Sequence, residues 1–374
     1  MTNSIYSDFT VVKSLSDCRL INNDMCNFES YSEGFILPYK KKSNSWGIGG
    51  VLSKKRKYLN NSGYNGWTSF GGEYEFEDFD ISEREVIWLG VIINHWGHFL
   101  VDNISRLWFS LESKEKYHIA YVSEDFDLHD NMIRFFELLG IDKTRLIRVT
   151  NPTQFKKIIV PDYSKTDSTY SLKYKNIFDE IILNSNYEYV SDQVRNLSGK
   201  IYFSRRNFKS ASSREYGEET IEYIFKKLNC DVVYPELLNL DEQIYLWNNS
   251  TEIVCMNGTI PLNVVFCRNH KTKLTILNKT SRVHKNIYDF IKIFSIKHVI
   301  FVDVFNSFSD RYVKNLGGGP FVLEVTPKLR HYSKLNEGVD IPKYKKNKIG
   351  KYIFLYRFLI KRTLKNAVKR MLRM

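Results

Sequence analysis

No acidic residue follows Asp340, and this absence decides how the charge of the chain is read. The net charge is +13, and 12 basic residues lie between Lys343 and Arg373, so residues 1–342 are close to neutral. A near-neutral body offers no basic groove, which argues against nucleic-acid binding despite an isoelectric point near 9.2. Also missing is any uninterrupted apolar run of the roughly 18 residues that a membrane span requires. Met1 to Lys13 is polar and lacks the apolar stretch of a signal peptide, so a cytoplasmic protein is expected. Cysteine is scarce: Cys18, Cys26, Cys230, Cys255 and Cys267 are odd in number and lack metal-ligand spacing. Three of them lie in or beside apolar runs, and reduced thiols in a cytosolic protein fit that pattern. No repeat with a period of about 20–50 residues and no low-complexity tract occurs.

What is present is a core-forming composition, 43% hydrophobic and 26% charged over 374 residues. A single core rarely grows that large, so two domains are expected. In the first part of the chain, strands are predicted at 35–38, 46–52, 86–93, 118–122 and 157–160. Helices are predicted at 131–139, 171–183 and 187–197, and 73–83 reads as an acidic connector. At Ser198-Gly199 the pattern restarts, with strands at 200–203, 231–234, 252–256, 273–277 and 298–304. Helices at 218–228, 241–248, 261–267 and 283–294 separate them. Such alternation points to the α/β class, with parallel sheets covered by helices on both faces. The expected organisation is two Rossmann-like domains, 1–197 and 198–304, then a return segment, 305–342, and a basic tail, 343–374. A turn is expected at Gly317-Gly318-Gly319-Pro320.

The densest chemistry lies between Asn94 and Trp108. The buried strand ending at Ile93 meets Gly97, and Phe99, Leu100, Ile104, Leu107 and Trp108 then recur at helical spacing. His95 and His98 sit at that junction, and Asp102 follows His98 at i+4 on the same helical face. Open α/β sheets bind ligands beyond the carboxyl ends of their strands, where this junction lies. A half-buried histidine tied to a neighbouring carboxylate would look the same. His95, His98 and Asp102 could also ligate a metal, but no further cluster with convincing spacing accompanies them.

Three further features follow in order. Ser204-Arg205-Arg206 closes a strand, and guanidinium forks suit a diphosphate. A surface basic pair is the alternative. Pro235-Glu236 turns the chain ahead of Glu242 and Gln243. A first-turn acid is explained by the helix dipole alone, while Glu236 could hold a sugar hydroxyl. Asn257-Gly258-Thr259 precedes Pro261, and a helix start with free N–H groups and Thr259 as cap can receive an anion. An ordinary capped turn would carry the same residues.

The sequence from Ser204-Arg205-Arg206 through Asp231-Val232-Val233-Tyr234-Pro235-Glu236 and Ile253 to Phe266 resembles the family 61 glycosyltransferases. These include capsular-polysaccharide enzymes. Their N-terminal signature is matched by His98-Phe99-Leu100-Val101-Asp102 and then Arg106-Leu107. The resemblance implies a GT-B architecture and inverting, metal-independent transfer from a nucleotide sugar, with no cofactor besides that co-substrate. It places Arg205, Arg206, Glu236, Asn257, Gly258, Thr259 and Asn263 around the donor, and His98 with Asp102 on the acceptor side. His95, Arg106, Glu242 and Gln243 take secondary places. One departure stands out. The family's donor loop reads Gly-x-His-Gly-Ala-Gly-Leu-x-Asn, whereas this chain has Asn257 for the histidine and keeps Gly258, Asn263 and the later Phe266. The acid usual in the following strand falls near Thr275. A non-catalytic glycan- or nucleotide-binding relative is the alternative that this departure raises.

In the tail, Ile353, Tyr356, Ile360, Leu364, Ala367, Val368 and Met371 recur at helical spacing between basic residues. A basic amphipathic helix of this kind lies on anionic bilayers, and a terminal helix packed on the protein is compatible with it. The expected enzyme acts at the cytoplasmic face of the membrane on a glycan, lipid-linked in surface polysaccharide synthesis. Asp102 would be the base, with His98 orienting it or standing in for it.

Overall fold

A computed structural model describes residues 16–21, 26–208, 211, 213–282, 284–342 and 348–371. Two compact units emerge, one over Asp17–Asn186 and one from Tyr187 onward that also takes in Ser16. Ser16 is tied to the latter by its hydroxyl, 2.7 Å from Asp289, and by Lys292, whose Nζ donates to its carbonyl at 2.9 Å.

The first unit is built on the strand Asp80–Ile92, which has neighbours on both sides and is buried from Val86 to its end. Its sheet runs Ile48–Leu52, Phe35–Lys40, Thr153–Pro161, Asp80–Ile92, His118–Ser123, Leu146–Arg148, and Phe28–Ser32 also pairs with Thr153–Pro161. The last four strands in that order are mutually parallel. Phe28–Ser32, Phe35–Lys40 and Ile48–Leu52 join antiparallel, so the sheet is mixed rather than wholly parallel as the alternation suggested. The expected acidic connector is shorter too. From Asp80 its residues already pair with Thr153, on an exposed half-strand where charged side chains stay solvated. Helices Asp130–Leu138 and Leu172–Asn184 fall where predicted, and Gly140, at φ +72°, ends the turn after the first of them.

The predicted helix at 187–197 is interrupted. A 3₁₀ turn, Tyr187–Tyr189, and a short helix, Asp192–Arg195, flank Ser191 in extended conformation. The Ser191 N–H and hydroxyl both donate to Glu242 Oε1, at 3.2 and 2.6 Å, so a tertiary partner replaces the helical one.

In the second unit all five strands of the main sheet are parallel, in the order Asp231–Val233, Lys200–Phe203, Glu252–Met256, Lys273–Asn278, His298–Asp303. By chain position that order is 2-1-3-4-5, a doubly wound arrangement. Its direction of winding reverses between Lys200–Phe203 and Glu252–Met256, and ligands of such sheets bind at that reversal. Tyr202, Val254, Met256, Leu277 and Val302 pack with Ile221, Phe225 and Leu329 into its core. Helix Leu240–Asn249 opens with a full capping box between Asn239 and Glu242.

The tail forms one helix, Lys348–Met371. Leu355 is buried, Phe354 stacks on Tyr216, Lys351 Nζ pairs with Glu324 at 2.9 Å, and Arg362 donates to the Tyr312 carbonyl at 2.9 Å. Ile349, Ile353, Tyr356, Ile360, Leu364 and Met371 are exposed on another side of the same helix. Lys343, Lys345, Lys346, Leu372 and Arg373 lie outside the described residues. Among the described residues, no helix is long and apolar enough to cross a membrane.

Candidate active site

His98 and Asp102 meet as their spacing predicts, but on an altered helix. After the turn Trp96–His98, the chain widens into a π turn, Phe99–Asn103, in which the Ile104 N–H donates to the Phe99 carbonyl. Such turns cluster at functional sites. Phe99, Leu100 and Ile104 remain fully buried. His95 caps the first turn, its Nδ1 accepting from the His98 N–H at 3.4 Å.

Asp102 is 4% exposed and engaged on both oxygens. His98 Nδ1 lies 3.0 Å from Oδ2, while the Tyr64 hydroxyl donates to Oδ1 at 2.8 Å and Lys165 Nζ stands 3.4 Å from Oδ1. Burial and the Asp102 charge both push the Tyr64 phenol upward, so it stays a protonated donor. The His98 side chain keeps 30% of its surface exposed. With Nδ1 donating to Asp102, Nε2 is the nitrogen left to accept a proton.

Arg106 takes no part in that surface. It is fully buried, donates to the carbonyls of Asn61, Ser62 and Gly63, and stacks 4.1 Å above Tyr163. Its work is to hold the turn that leads into Tyr64.

In the second unit, the end of Lys200–Phe203 and the end of Glu252–Met256 bring Arg205 and Gly258 together at the winding reversal. Gly258 has φ +155°, and a Cβ there would stand 3.4 Å from Arg205 Nη1 and 3.7 Å from Lys279 Nζ. Both cations converge on Glu215: Lys279 Nζ is 2.7 Å from its Oε1 and Arg205 Nη2 is 3.3 Å away. Burial would raise the Glu215 carboxyl, but Arg205 and Lys279 together hold it below its ordinary value. Glu218 lies beside them, accepting from the Tyr202 hydroxyl at 2.8 Å and the Arg205 N–H at 2.9 Å. Burial, and then the charge of Glu215, push its pKa up to about 7.

The other sequence candidates are more open or are engaged elsewhere. Arg206 is more open, 55% exposed, with Glu222 at 3.7 Å, and together with Arg205, Glu215 and Glu218 it lines a cavity of about 190 Å³. Glu236 is exposed on a 3₁₀ turn. Glu242 is spent on its capping box and on Ser191, and Gln243 accepts from Asn263 at 3.4 Å inside the fold. Asn257 donates to Asn278 Oδ1 at 2.9 Å, while its own Oδ1 is buried without a partner. The expected helix at 261–267 is a 3₁₀ helix, Ile260–Phe266, and the Thr259 side chain makes no cap bond. A short 3₁₀ segment has a weaker end field than an α-helix, so cationic side chains rather than the turn carry the positive charge here. No group of three His, Cys, Asp or Glu side chains gathers in metal-ligating fashion among the described residues.

Residues 96–275 match the family model described as Glycosyltransferase 61. Over those residues the chain is similar to the glycosyltransferase 61 family. No curated protein matches it. The glycosyltransferase 61 match implies a sugar donor and an acceptor, and it spans every candidate named above from His98 to Asn263. Five participants escaped sequence reasoning: Tyr64 and Lys165 on Asp102, and Glu215, Glu218 and Lys279 around Arg205. Lys279 alone left a signal, following directly on a strand's carboxyl end.

Proposed function

We propose that this glycosyltransferase moves a sugar from a nucleotide donor to a glycan acceptor by inverting, metal-independent displacement. The observation that carries the reading is the division of labour between His98 and Asp102. Asp102 is buried and bonded on both oxygens, so it is poorly placed to reach an acceptor itself. It fixes the tautomer and orientation of His98, and His98 Nε2 is the base.

In the step, the acceptor O–H proton passes to His98 Nε2 as the oxygen forms a bond to the anomeric carbon. The bond from that carbon to the phosphate oxygen breaks on the opposite side, and the leaving diphosphate carries away the electron pair. Arg205 and Lys279, with the bare Cα of Gly258 permitting close approach, neutralise its charge. The strand order of the second unit supports a nucleotide-binding role there, and the pair of units is read as a GT-B type enzyme, with the acceptor on the first unit.

The tail supports action at a membrane. Its exposed apolar stripe is bordered by Arg357, Lys361 and Lys365, a pattern suited to an anionic bilayer and to a lipid-linked acceptor in surface polysaccharide synthesis. A cytoplasmic-face location follows from that reading. Asn257, in place of the family's histidine, favours a second reading, a binder without transferase activity. A thermal-shift and donor-hydrolysis screen across nucleotide sugars separates the two. Stabilisation with sugar release supports the enzyme, stabilisation without release in any condition supports the binder, and no stabilisation by any nucleotide sugar overturns both.

A further inference from the structure

The hairpin Tyr64–Asn65 and Ser69–Phe70 delivers two side chains to the histidine site. Tyr64 reaches Asp102 from its first strand, and Trp67 stands at its tip, where the Gly66 N–H closes the turn on the Thr68 carbonyl. The Trp67 indole lies nearly parallel to the His98 ring, at 17° and 5.2 Å between centroids, yet 65% of the residue is exposed. Trp46 meets the same imidazole edge-on at 5.2 Å and Trp67 at 5.5 Å, and it is braced by stacking on Tyr64. Two indoles therefore flank the imidazole.

Trp46 is also a wall of a cavity of about 230 Å³ at the carboxyl end of the central strand. Tyr39 and Phe126 supply further aromatic lining, and Ser45, Asn94 and Lys42 supply polar groups. Such a mixture does not suit a lipid chain or a hydrophobic protein surface, either of which would leave the polar groups unpaired. It suits a pyranose ring. A sugar presents C–H bonds on its faces and hydroxyls around its edge. The electron-rich face of an indole attracts the former, and amide, hydroxyl and ammonium groups pair the latter.

We infer that Trp67 and Trp46 form the acceptor-sugar subsite, stacking a pyranose ring of the acceptor glycan beside His98. This inference rests on the transferase reading and names what that reading left open, the class of group that the first unit holds. The imidazole covers one face of the Trp67 indole, so the pyranose stacks on the other, exposed face, and the Trp46 cavity takes the sugar that follows it in the chain. Neither residue lies within the segment that matches the family model, so the subsite belongs to this chain's own N-terminal part.

The test is saturation-transfer difference NMR on the full chain without nucleotide. The probes are the methyl glycosides of glucose, galactose, mannose, N-acetylglucosamine and N-acetylgalactosamine. At least one is expected to receive saturation at ring C–H protons. Trp67→Ala should weaken that binding at least tenfold, and Trp67→Phe should restore most of it. Binding of UDP, GDP and CDP, followed by thermal shift, should be the same in all three proteins. Saturation of none of the five glycosides, or equal binding by Trp67→Ala and the wild type, overturns the subsite. Failure of the transferase reading would look different, because His98→Ala would then transfer or hydrolyse donor as well as the wild type whatever the glycosides do.

Discussion

Tyr64 and Asp102 are joined by a 2.8 Å hydrogen bond that closes a network of three donors on one buried carboxylate. His98 and Lys165 supply the other two, so the Asp102 charge is stabilised from every side and its orienting grip on His98 is firm. If His98 is the base, His98→Ala should slow transfer by about 10²–10⁴-fold, the span of general-base contributions. Asp102→Asn should slow it by about 10²-fold, because the amide cannot favour the productive tautomer or stabilise the imidazolium that forms. Tyr64→Phe removes one donor of three and leaves His98 and Lys165 on Asp102, so it should slow transfer less than Asp102→Asn does. Single-turnover rates on variants that keep the wild-type circular dichroism check the ranking. An Asp102→Asn enzyme slower than His98→Ala would return the base to Asp102.

At the donor site, the ranking turns on how closely a phosphate can approach Gly258. A Cβ there would stand in ordinary contact with Arg205 Nη1, at 3.4 Å, so Gly258→Ala fills the space through which a phosphate would approach, on a backbone with φ +155° that L side chains rarely adopt. Nucleotide-sugar affinity should fall by at least tenfold. Lys279→Met keeps the volume and removes a charge-assisted contact worth about 1.5–3 kcal/mol, so the loss should be roughly 10- to 150-fold. Arg206→Met, at the open rim of the same cavity, should cost less than Lys279→Met, because more than half of the arginine side chain is solvated and its charge is screened. Isothermal titration with whichever nucleotide sugar stabilises the wild type measures all three.

How far these sites could be read in advance follows from the range of the interactions that make them. The His98–Asp102 contact was legible because i and i+4 share a helical face, and the π turn that follows preserved it. The Arg205 and Gly258 positions were legible because the end of a parallel strand is where such sheets bind ligands. Tyr64 was not, since nothing in local periodicity links it to a carboxylate 38 residues away. The antiparallel strands before residue 53 were only partly visible, their exposed faces diluting the apolar alternation. At 187–197 a helical pattern was present and was broken by Glu242, a partner 51 residues beyond Ser191. Local patterns fixed elements, and long-range partners completed or interrupted them.

Glu218 gives the donor site a pH dependence with a definite sign. Tyr202, Arg205 and Glu215 face it, with Lys279 beyond, and its pKa is pushed up to about 7, burial first and Glu215 second. Below that pH it is neutral, and Arg205, Lys279 and Glu215 leave the cluster one charge positive. Above it, the cluster is neutral. Nucleotide-sugar affinity should therefore weaken as pH rises from 6 to 8, and Glu218→Gln should flatten the change. Stability runs in the same direction. A raised folded-state pKa contributes stability that is complete below the unfolded value, near 4.5, and is lost as pH climbs through about 7. Relative to Glu218→Gln, the wild type should lose on the order of 3 kcal/mol between pH 4.5 and 8, read from urea unfolding at several pH values.

The tail helix separates its packing face from the face assigned to the membrane. Leu355, Phe354 and Arg362 hold it to its own unit, while Ile353, Tyr356 and Ile360 stay exposed near Arg357, Lys361 and Lys365. Changing Arg357, Lys361 and Lys365 to Gln leaves the packing face intact and removes three charges, each worth about 1 kcal/mol at an anionic surface. Affinity for vesicles containing 30 mol% phosphatidylglycerol, a composition chosen for the assay, should fall by about 100-fold in a sedimentation assay. Ile353→Glu with Ile360→Glu should abolish binding to the same vesicles by placing carboxylates on the lipid-facing stripe. Neither set should alter nucleotide-sugar binding, because the changed side chains are exposed and lie off the face that packs on Tyr216. Equal sedimentation of all three proteins would mean that the helix serves only its packed face.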